Sequence, residues 1–418
     1  MPSTRLTRRA ALAGVGASTL ASLTGCLGSV LTRFERDHDR DAPVGAVGAV
    51  DGPWPTYQRD FRNSGYAPDL SGPDESATLE LLKATPTAFA TTVSLGAGGA
   101  LVGVSDGDGN AGGYYALPGT GGGPSWRNGY VHGKSSPTVA GDALFVSTAE
   151  YVAAYDARTG EHCWSVTGEG VGDTRNAPVL VGETVVAHGG DLVVGRNPAT
   201  GAERWQYETD HGFGASVVAV GDAVYALVTD RDESATTAES SGDEDRFGVV
   251  SLDAATGEER WRRLDLPEPR SALVVDDGRV YYGAPDGEVY ALSTGDGGTE
   301  WRASVGFDGD SVAGLAVTDE RLHVESSTTG ELAALGVETG EEAWSRSVVE
   351  TNYRAPPVVA GGTRFVVGSR TLGALDETTG ETRWSTSLGV EPVGPLSVSE
   401  DALYFVGEGR ESGVYRVQ

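Results

Sequence analysis

The chain has 418 residues, with 60 acidic against 31 basic residues and a formal net charge of −29. This balance excludes a non-specific nucleic-acid-binding protein, because such proteins present a basic face to the phosphates. With 22% charged residues, the composition is neither that of a disordered polymer nor that of a polytopic membrane protein. Lysine is almost absent, and a strongly acidic composition that uses Arg instead predicts a halophilic protein.

The first 26 residues are predicted to form an export leader. A basic start is followed by an uncharged run, residues 10–25, that is too short to span a bilayer. The pair Arg8-Arg9 resembles a twin-arginine translocation signal. The tetrad that ends at Cys26 resembles a lipobox, so we expect Cys26 to carry a lipid; the alternative is an ordinary small residue in a cleaved leader.

Residues 27–53 are predicted to be a flexible tether, because their charges and glycines follow no packing period. Leader, lipid and tether together predict a lipoprotein at the outer face of the cytoplasmic membrane. The only other cysteine, Cys163, is far along the chain, so no disulfide framework supports the fold.

Residues 54–418 contain a repeat marked by tryptophan. The motif Thr-Gly-x-x-x-Trp, or a near match, recurs about every 40 residues, apart from one longer interval that contains an acidic insertion, residues 230–246. Its tryptophans are Trp126, Trp164, Trp205, Trp261, Trp301, Trp344 and Trp384. Each repeat contains three short runs rich in β-branched and aromatic residues, and a fourth run carries the Trp. Four strands per repeat of this length predict an all-β propeller of four-stranded antiparallel blades.

Eight blades are predicted, with seven as the alternative. The expected innermost strands begin near residues 88, 135, 177, 215, 271, 312, 355 and 393. The last repeat ends after three strands. Residues 79–86 are therefore expected to supply its fourth strand and close the ring, with Leu82 at the Trp position, because closure removes the exposed sheet edges.

The repeat resembles that of the pyrroloquinoline quinone (PQQ) propeller family, whose pattern is Ala-Leu-Asp-x-x-Thr-Gly-Glu-x-x-Trp. Residues 252–261 match it almost fully, residues 155–164 and 375–384 closely, and residues 54–66 resemble the segment before the first blade in such proteins. The export signals add a likeness to haloarchaeal exported lipoproteins and to the propeller lipoprotein of the bacterial outer-membrane barrel assembly machinery. We expect the repeat motif itself to be structural: Asp and Thr-Gly form a turn, and Trp packs between blades.

The resemblance also implies a possible chemistry, since quinoprotein dehydrogenases of this family bind PQQ and calcium above the channel. This chain has no Cys-Cys pair, and no catalytic Asp or calcium-ligand set can be matched to it. The six histidines lack zinc-site spacing. The Asp-rich segments 106–110 and 308–310 could bind calcium, but hairpin turns are the favoured interpretation. No cofactor, metal or catalytic residue is therefore assigned.

Basic and polar residues recur where each outer strand connects to the next inner strand, beside the expected mouth of the channel. They are Lys134, Arg175, Asn176, His211, Arg270, Asn352, Tyr353 and Arg354. This predicted basic collar would bind an anionic ligand or an acidic partner segment through the planar guanidinium fork. The alternative is that each Arg neutralises neighbouring carboxylates.

The sequence thus predicts a non-catalytic binding scaffold with a membrane-associated protein partner. The alternative is a PQQ- and calcium-dependent dehydrogenase of alcohols or sugars. A surface carbohydrate or peptide binder is a third class, for which Phe213 and Tyr353 are the candidate aromatic residues.

Overall fold

The computed structural model describes residues 47–418, with gaps. The gaps are residues 49, 51, 76, 86–88, 97–98, 106–111, 119–125, 129–134, 148–150, 168–176, 190–191, 210–211, 230–246, 277, 308–309 and 349–354. The predicted leader, Cys26 and the acidic insertion lie outside the described residues. Within them, no helix has the length and apolar character needed to cross a membrane.

Eight antiparallel blades form an eight-bladed propeller, which confirms the predicted fold class and the higher blade number. Two short strands precede the first blade: β1 (Tyr66–Ala67) and β2 (Leu79–Ala84). Blade 1 comprises β3 (Phe89–Ala90), β4 (Ser94–Gly96), β5 (Gly99–Ser105), β6 (Gly112–Pro118) and β7 (Trp126–Asn128), and blade 2 comprises β8 (Thr138–Ala140), β9 (Ala143–Ser147), β10 (Tyr151–Asp156) and β11 (His162–Thr167). Blade 3 comprises β12 (Val179–Val181), β13 (Thr184–Gly189), β14 (Leu192–Arg196) and β15 (Glu203–Glu208). Blade 4 comprises β16 (Gly212–Val220), β17 (Ala223–Thr229), β18 (Phe247–Asp253) and β19 (Glu259–Leu266).

The second half of the ring continues the pattern and includes a 3₁₀ turn at Pro285–Gly287. Blade 5 comprises β20 (Val274–Val275), β21 (Arg279–Gly283), β22 (Glu288–Ser293) and β23 (Thr299–Ser304), and blade 6 comprises β24 (Val312–Val317), β25 (Arg321–Ser326), β26 (Glu331–Gly336) and β27 (Glu342–Ser347). Blade 7 comprises β28 (Val358–Ala360), β29 (Thr363–Val367), β30 (Thr371–Asp376) and β31 (Thr382–Ser387). Blade 8 comprises β32 (Glu391–Pro392), β33 (Ser397–Val398), β34 (Leu403–Glu408) and β35 (Gly413–Val417).

The tryptophan of one blade packs on the Thr-Gly turn of the next. In blade 5, Trp301 donates from its indole N–H to the Val337 carbonyl of blade 6 at 2.9 Å, and a Cβ added at Gly340 would lie 2.6 Å from its ring. The same donor, carbonyl and glycine geometry recurs at six consecutive seams, through Trp126, Trp164, Trp205, Trp261, Trp301 and Trp344. Each seam therefore combines a large apolar contact with a satisfied buried donor.

The turn that receives the ring is built by Asp. In blade 4, Asp253 Oδ1 accepts from the backbone N–H groups of Ala255 and Thr256, at 3.0 Å each. Gly257 ends the turn at φ 73°, a left-handed conformation that costs glycine little. The motif thus shapes a flat glycine surface on which the neighbouring indole lies.

The ring closes where β2 pairs with β35 as the fourth strand of blade 8, as predicted. The predicted place of Leu82 is wrong. In the tryptophan strands the register shifts just before the Trp, but in β2 it shifts between Leu81 and Lys83, so Glu80 pairs with Arg416 where a Trp would stand. Glu80 Oε2 and Arg416 Nη2 form an ion pair of 2.5 Å.

The seams on either side of blade 8 lack the tryptophan-on-glycine contact. Blade 8 has no Thr-Gly turn, because its third and fourth strands come from opposite ends of the described chain. One continuous apolar cluster spans blades 7, 8 and 1 instead, and it includes Phe365, Phe405 and the fully buried Trp54. Burial of apolar area replaces the repeated motif at the point of closure.

The C-terminal end of the predicted tether belongs with the propeller. Val47 bridges to Gly141, the Gly48 N–H donates to the Ala140 carbonyl at 3.3 Å, and Val50 packs beside the core between blades 2 and 3. These contacts place Val47, Gly48 and Val50 beside blades 2 and 3.

Replacing Gly257 with Ala tests the seam contact against a matched control in the same blade. Gly257 has φ 73° and a built Cβ 2.6 Å from Trp205, whereas Gly221 has φ 59° and open space around its Cβ. Both changes incur the left-handed penalty of about 1–2 kcal/mol. Gly257→Ala must also displace the indole, which adds about 1–3 kcal/mol. Equilibrium denaturation of both variants measures the difference, and equal losses of stability would contradict the seam model.

Candidate functional site

One end of the ring is crossed by the segment before the first blade, residues 54–67, which we call the floor segment. Its carbonyl oxygens accept hydrogen bonds from inner-strand N–H groups of blades 1, 2, 4, 5, 6 and 7 in turn. The donors are Leu95 to Trp54, Val139 to Pro55, Ala219 to Phe61, Val275 to Arg62, Val317 to Ser64 and Val359 to Gly65, at 2.6–2.9 Å. The floor segment follows the ring almost once around before the first blade begins.

Polar side chains hold the floor segment in an unusual backbone conformation. Gln58 and Asn63 have φ values of 46° and 54°. Their buried amides donate to the carbonyls of Leu315 at 2.8 Å and Leu273 at 2.9 Å. Asp60 accepts from the backbone N–H of Arg62 and the hydroxyl of Ser64. These bonds offset the cost of left-handed backbone at residues other than glycine.

The floor segment defines two distinct faces of the ring. Each inner-strand donor is the last or the next-to-last residue of its strand, beside the hairpin that leads into the second strand. The hairpins between the first and second strands therefore lie on the floor face. The connections between blades, and the hairpins between the second and third strands, lie on the opposite face, which we call the loop face.

Most of the predicted collar is not described. Lys134, Arg175, Asn176, His211, Asn352, Tyr353 and Arg354 lie outside the described residues. Arg270 is described and exposed, and its Nη2 lies 2.8 Å from Glu268 Oε2. At this one position, the arginine neutralises a neighbouring carboxylate. Phe213 is half-buried and makes an edge contact with Tyr207, with ring centroids 6.3 Å apart.

Hydroxyl groups fix the start of several inner strands at the loop face. The Ser271 hydroxyl accepts from the Gly283 N–H at 2.8 Å, and the Ser135 hydroxyl accepts from the Ser147 N–H at 2.9 Å. Thr91 does the same for Gly103 in blade 1. In blades 2 and 5 the pinned serine directly follows a predicted collar residue, so the backbone beside that residue has a fixed position.

Asp310 ties the loop between blades 5 and 6 to the hairpin of β25 and β26. Its carboxylate accepts from the N–H groups of Ser311, Thr328 and Thr329 and from the hydroxyls of Ser327 and Thr328. These donors lower its pKa to about 2, although burial opposes the shift. A carboxylate surrounded by donors stabilises a loop. Asp310 lies in the connection between blades 5 and 6 and not in the hairpin turn that the sequence analysis favoured.

No described group of three or more His, Cys, Asp or Glu residues could hold a metal ion. No chemical step is assigned to PQQ or calcium. Cys163 is buried behind Trp164 in the core between blades 2 and 3.

Two buried titratable sites lie within the ring. His188 on β13 is buried without a hydrogen-bond partner, and burial lowers its pKa to about 4. At the seam of blades 6 and 7, the fully buried Arg364 donates to the carbonyls of Ala333 and Val324, and its Nη2 lies 3.7 Å from Glu325 Oε2. Burial raises the pKa of Glu325 more than Arg364 lowers it.

These features define a class: a closed eight-bladed propeller with tryptophan seams, one end of which is crossed by its own N-terminal segment. A family model described as "Outer membrane protein assembly factor BamB" matches residues 76–303 and 285–415. The chain belongs to this family of PQQ-type propellers.

Two curated relatives are similar over part of their length. The serine/threonine-protein kinase AfsK of Streptomyces coelicolor is 29% identical over 147 residues, which are 34% of this chain and 17% of the kinase. The outer membrane protein assembly factor BamB of Yersinia pestis is 24% identical over 273 residues, 59% of this chain and 65% of that protein. The chain thus spans less than two thirds of the length of each.

Solved structures share the fold at low identity. The quinohemoprotein alcohol dehydrogenase of Comamonas testosteroni has a TM-score of 0.67 at 13% identity, covering 89% of this chain and 81% of its own. BamB from Moraxella catarrhalis has a TM-score of 0.53 at 19% identity, covering 82% and 97%. A europium-containing methanol dehydrogenase has a TM-score of 0.60 at 13% identity, covering 91% and 92%.

The neutral, buried His188 predicts acid sensitivity. Its pKa of about 4 in the folded chain lies below the ordinary value of 6.5, so unfolding takes up a proton between these values and stability falls as the pH drops through them. His188→Leu removes this contribution. The decrease in the denaturation midpoint between pH 7 and pH 5 should therefore be smaller in the variant than in the wild type. His323 and Glu325 titrate in both proteins and cancel in the comparison. An unchanged pH slope would show that His188 is not buried as a neutral group.

Proposed function

We propose that this chain is a non-catalytic scaffold that holds a membrane-associated protein partner through the loop face. The family match over residues 76–303 and 285–415 carries this proposal, because the family is described as an assembly factor. The floor segment supports it further: with one end of the ring occupied by the chain's own backbone, a partner would engage the other. The blades supply rigidity and the loops supply recognition.

The same proposal includes the location. A lipid on Cys26 and the following residues would hold the propeller at the outer face of the cytoplasmic membrane, after export through the twin-arginine route. The net charge of −29 suits a medium of high salt, where screening weakens repulsion among surface carboxylates.

On the loop face, we propose that the collar contributes an anion-binding surface. Lys134, Arg175, Arg270 and Arg354 occupy equivalent places in four connections of the sequence. An acidic partner segment would replace Glu268 as the partner of Arg270. Because the Arg270 side chain is 45% exposed, this exchange requires little rearrangement.

A quinoprotein dehydrogenase is the competing function. The chain shares its fold with a quinohemoprotein alcohol dehydrogenase at a TM-score of 0.67. Since that similarity is at 13% identity, it concerns the fold alone.

The collar is tested by the triple variant Arg175→Ala, Arg270→Ala, Arg354→Ala in the full-length chain. Cells that express the wild type or the triple variant are cross-linked, the chain is purified, and the co-purifying proteins are identified by mass spectrometry. The readout is the membrane protein that is most enriched with the wild type. We expect that protein to be lost from the triple variant, because charge-assisted contacts across the interface are removed.

The matched control replaces Arg158, Arg262 and Arg302, whose side chains are 65%, 41% and 58% exposed. They lie on the turn between β10 and β11 and on the outer strands β19 and β23, and not on the inter-blade connections. It removes the same charge and should retain the partner. Retention by the collar variant, or equal loss from both variants, would contradict a role for the collar.

The competing function is tested by titrating the protein with PQQ and calcium in molar salt while following tryptophan fluorescence. We expect no saturable quenching, because no catalytic Asp or calcium-ligand set of the dehydrogenases can be matched to this sequence. Apo quinohemoprotein alcohol dehydrogenase serves as the positive control. Saturable quenching with a bound-quinone absorbance would favour the dehydrogenase.

A further inference from the structure

A cavity of about 690 Å³ opens on the loop face between blades 7 and 8. Its walls come from the β29–β30 hairpin, the connection between blades 7 and 8, and the β34–β35 hairpin. This volume lies within the range of small-ligand and peptide side-chain sites. The collar does not include any of these residues, so the cavity is a separate feature of the same face.

Two guanidinium groups in this cavity have no partner within the described residues. Arg370 and Arg410 both line it and are both exposed, and neither forms an ion pair or hydrogen bond through its side chain with a described residue. Arginines elsewhere in the described chain are commonly paired: Arg260 binds Asp222 and Asp253, for example. In a chain with a net charge of −29, two unpaired arginines on one cavity are an unusual concentration of available positive charge.

Carboxylates line the same cavity without neutralising these arginines. Glu391, Glu408 and Glu411 contribute to the walls, yet none is ion-paired with Arg370 or Arg410. A purely anionic ligand would meet both attraction and repulsion here. A ligand that carries charges of both signs could pair with the arginines and with the glutamates at once.

The walls are fixed by backbone and core contacts. The Leu388 N–H donates to the Arg370 carbonyl at 2.9 Å, and the Tyr415 hydroxyl donates to the Glu411 carbonyl. Val390 is buried, and a Cβ added at Gly409 would lie 2.9 Å from it, so the two loops approach closely. The charged side chains therefore extend from a preorganised frame, which reduces the entropic cost of binding.

We propose that this cavity binds a mixed-charge polypeptide segment, with an acidic side chain on Arg370 and Arg410 and a basic side chain on the glutamates. This inference rests on the proposed scaffold function and names the chemistry of the partner. It places the specific contact at blades 7 and 8, apart from the collar.

In the test, the purified full-length protein is incubated with a peptide array. Each central position of a peptide is Glu, Lys or Gly, and the array contains every combination. Affinities of the best peptides are then measured in solution at constant salt. We expect peptides that contain both Glu and Lys to bind best, and Arg370→Ala with Arg410→Ala to weaken them by about tenfold or more. The control variant Arg158→Ala with Arg302→Ala should bind as the wild type does.

Three results would overturn the proposal: no peptide binding, equal binding to the cavity variant and the control, or preference for all-acidic peptides. Polygalacturonate, an acidic polysaccharide, is included as a further arm. Its binding with the same arginine dependence, in the absence of peptide binding, would assign the cavity to a carbohydrate and also overturn the proposal.

Failure of this inference is distinguishable from failure of the scaffold function. If the collar variant loses its cross-linked partner while the cavity variant keeps it, the scaffold function stands and the cavity proposal fails. If the wild type itself enriches no membrane protein, the scaffold function fails, whatever the peptide array shows.

Discussion

The contact of each tryptophan with a glycine turn of the next blade is the constraint on which the structure depends. The indole needs a flat partner and an acceptor for its N–H, and the Asp-x-x-Thr-Gly turn supplies both. At the seam of blades 3 and 4, Trp205 donates to the Ala254 carbonyl at 3.0 Å while its ring covers Gly257. Since the same geometry joins seven successive blades, the rotation from one blade to the next is set by a local contact.

The tryptophan-on-glycine contact is missing at the two seams of blade 8, where the ring closes, and two other features stabilise this region. β2 completes blade 8 and removes the open edge, while one apolar cluster covers the two seams that lack the motif. The floor segment then binds inner strands of six blades by backbone hydrogen bonds. Closure and floor together give the ring two unlike faces, and the connections between blades lie on the face away from the floor segment.

Much of the fold was predictable because its determinants are local and periodic. The tryptophan spacing predicts the blades, and the missing last strand predicts closure by residues 79–86. The sequence pattern misplaces Leu82 by two residues, because the β-bulge of β2 lies between Leu81 and Lys83 and leaves no mark in that pattern. The floor segment was not predicted, since Gln58 and Asn63 act through long-range bonds to Leu315 and Leu273 rather than through any period.

The candidate site was less predictable than the fold. Arg270 was correctly placed on an inter-blade connection, but its ion pair with Glu268 depends on side-chain geometry that spacing cannot specify. Arg370 and Arg410 fall in hairpins that look like ordinary turns, and only the assembled ring brings them to one cavity. Binding surfaces built from loops of successive repeats are determined by tertiary structure, which single-repeat patterns do not encode.

Amide hydrogen exchange of the six inner-strand residues that bind the floor segment tests the central claim most directly. These are Leu95, Val139, Ala219, Val275, Val317 and Val359. If the floor segment closes one end of the ring, their amides exchange only on global unfolding, as those of central strands do. Exchange as fast as that of turn amides such as Gly182 and Gly221 would show that this end is open, and would remove the reason for assigning binding to the loop face alone.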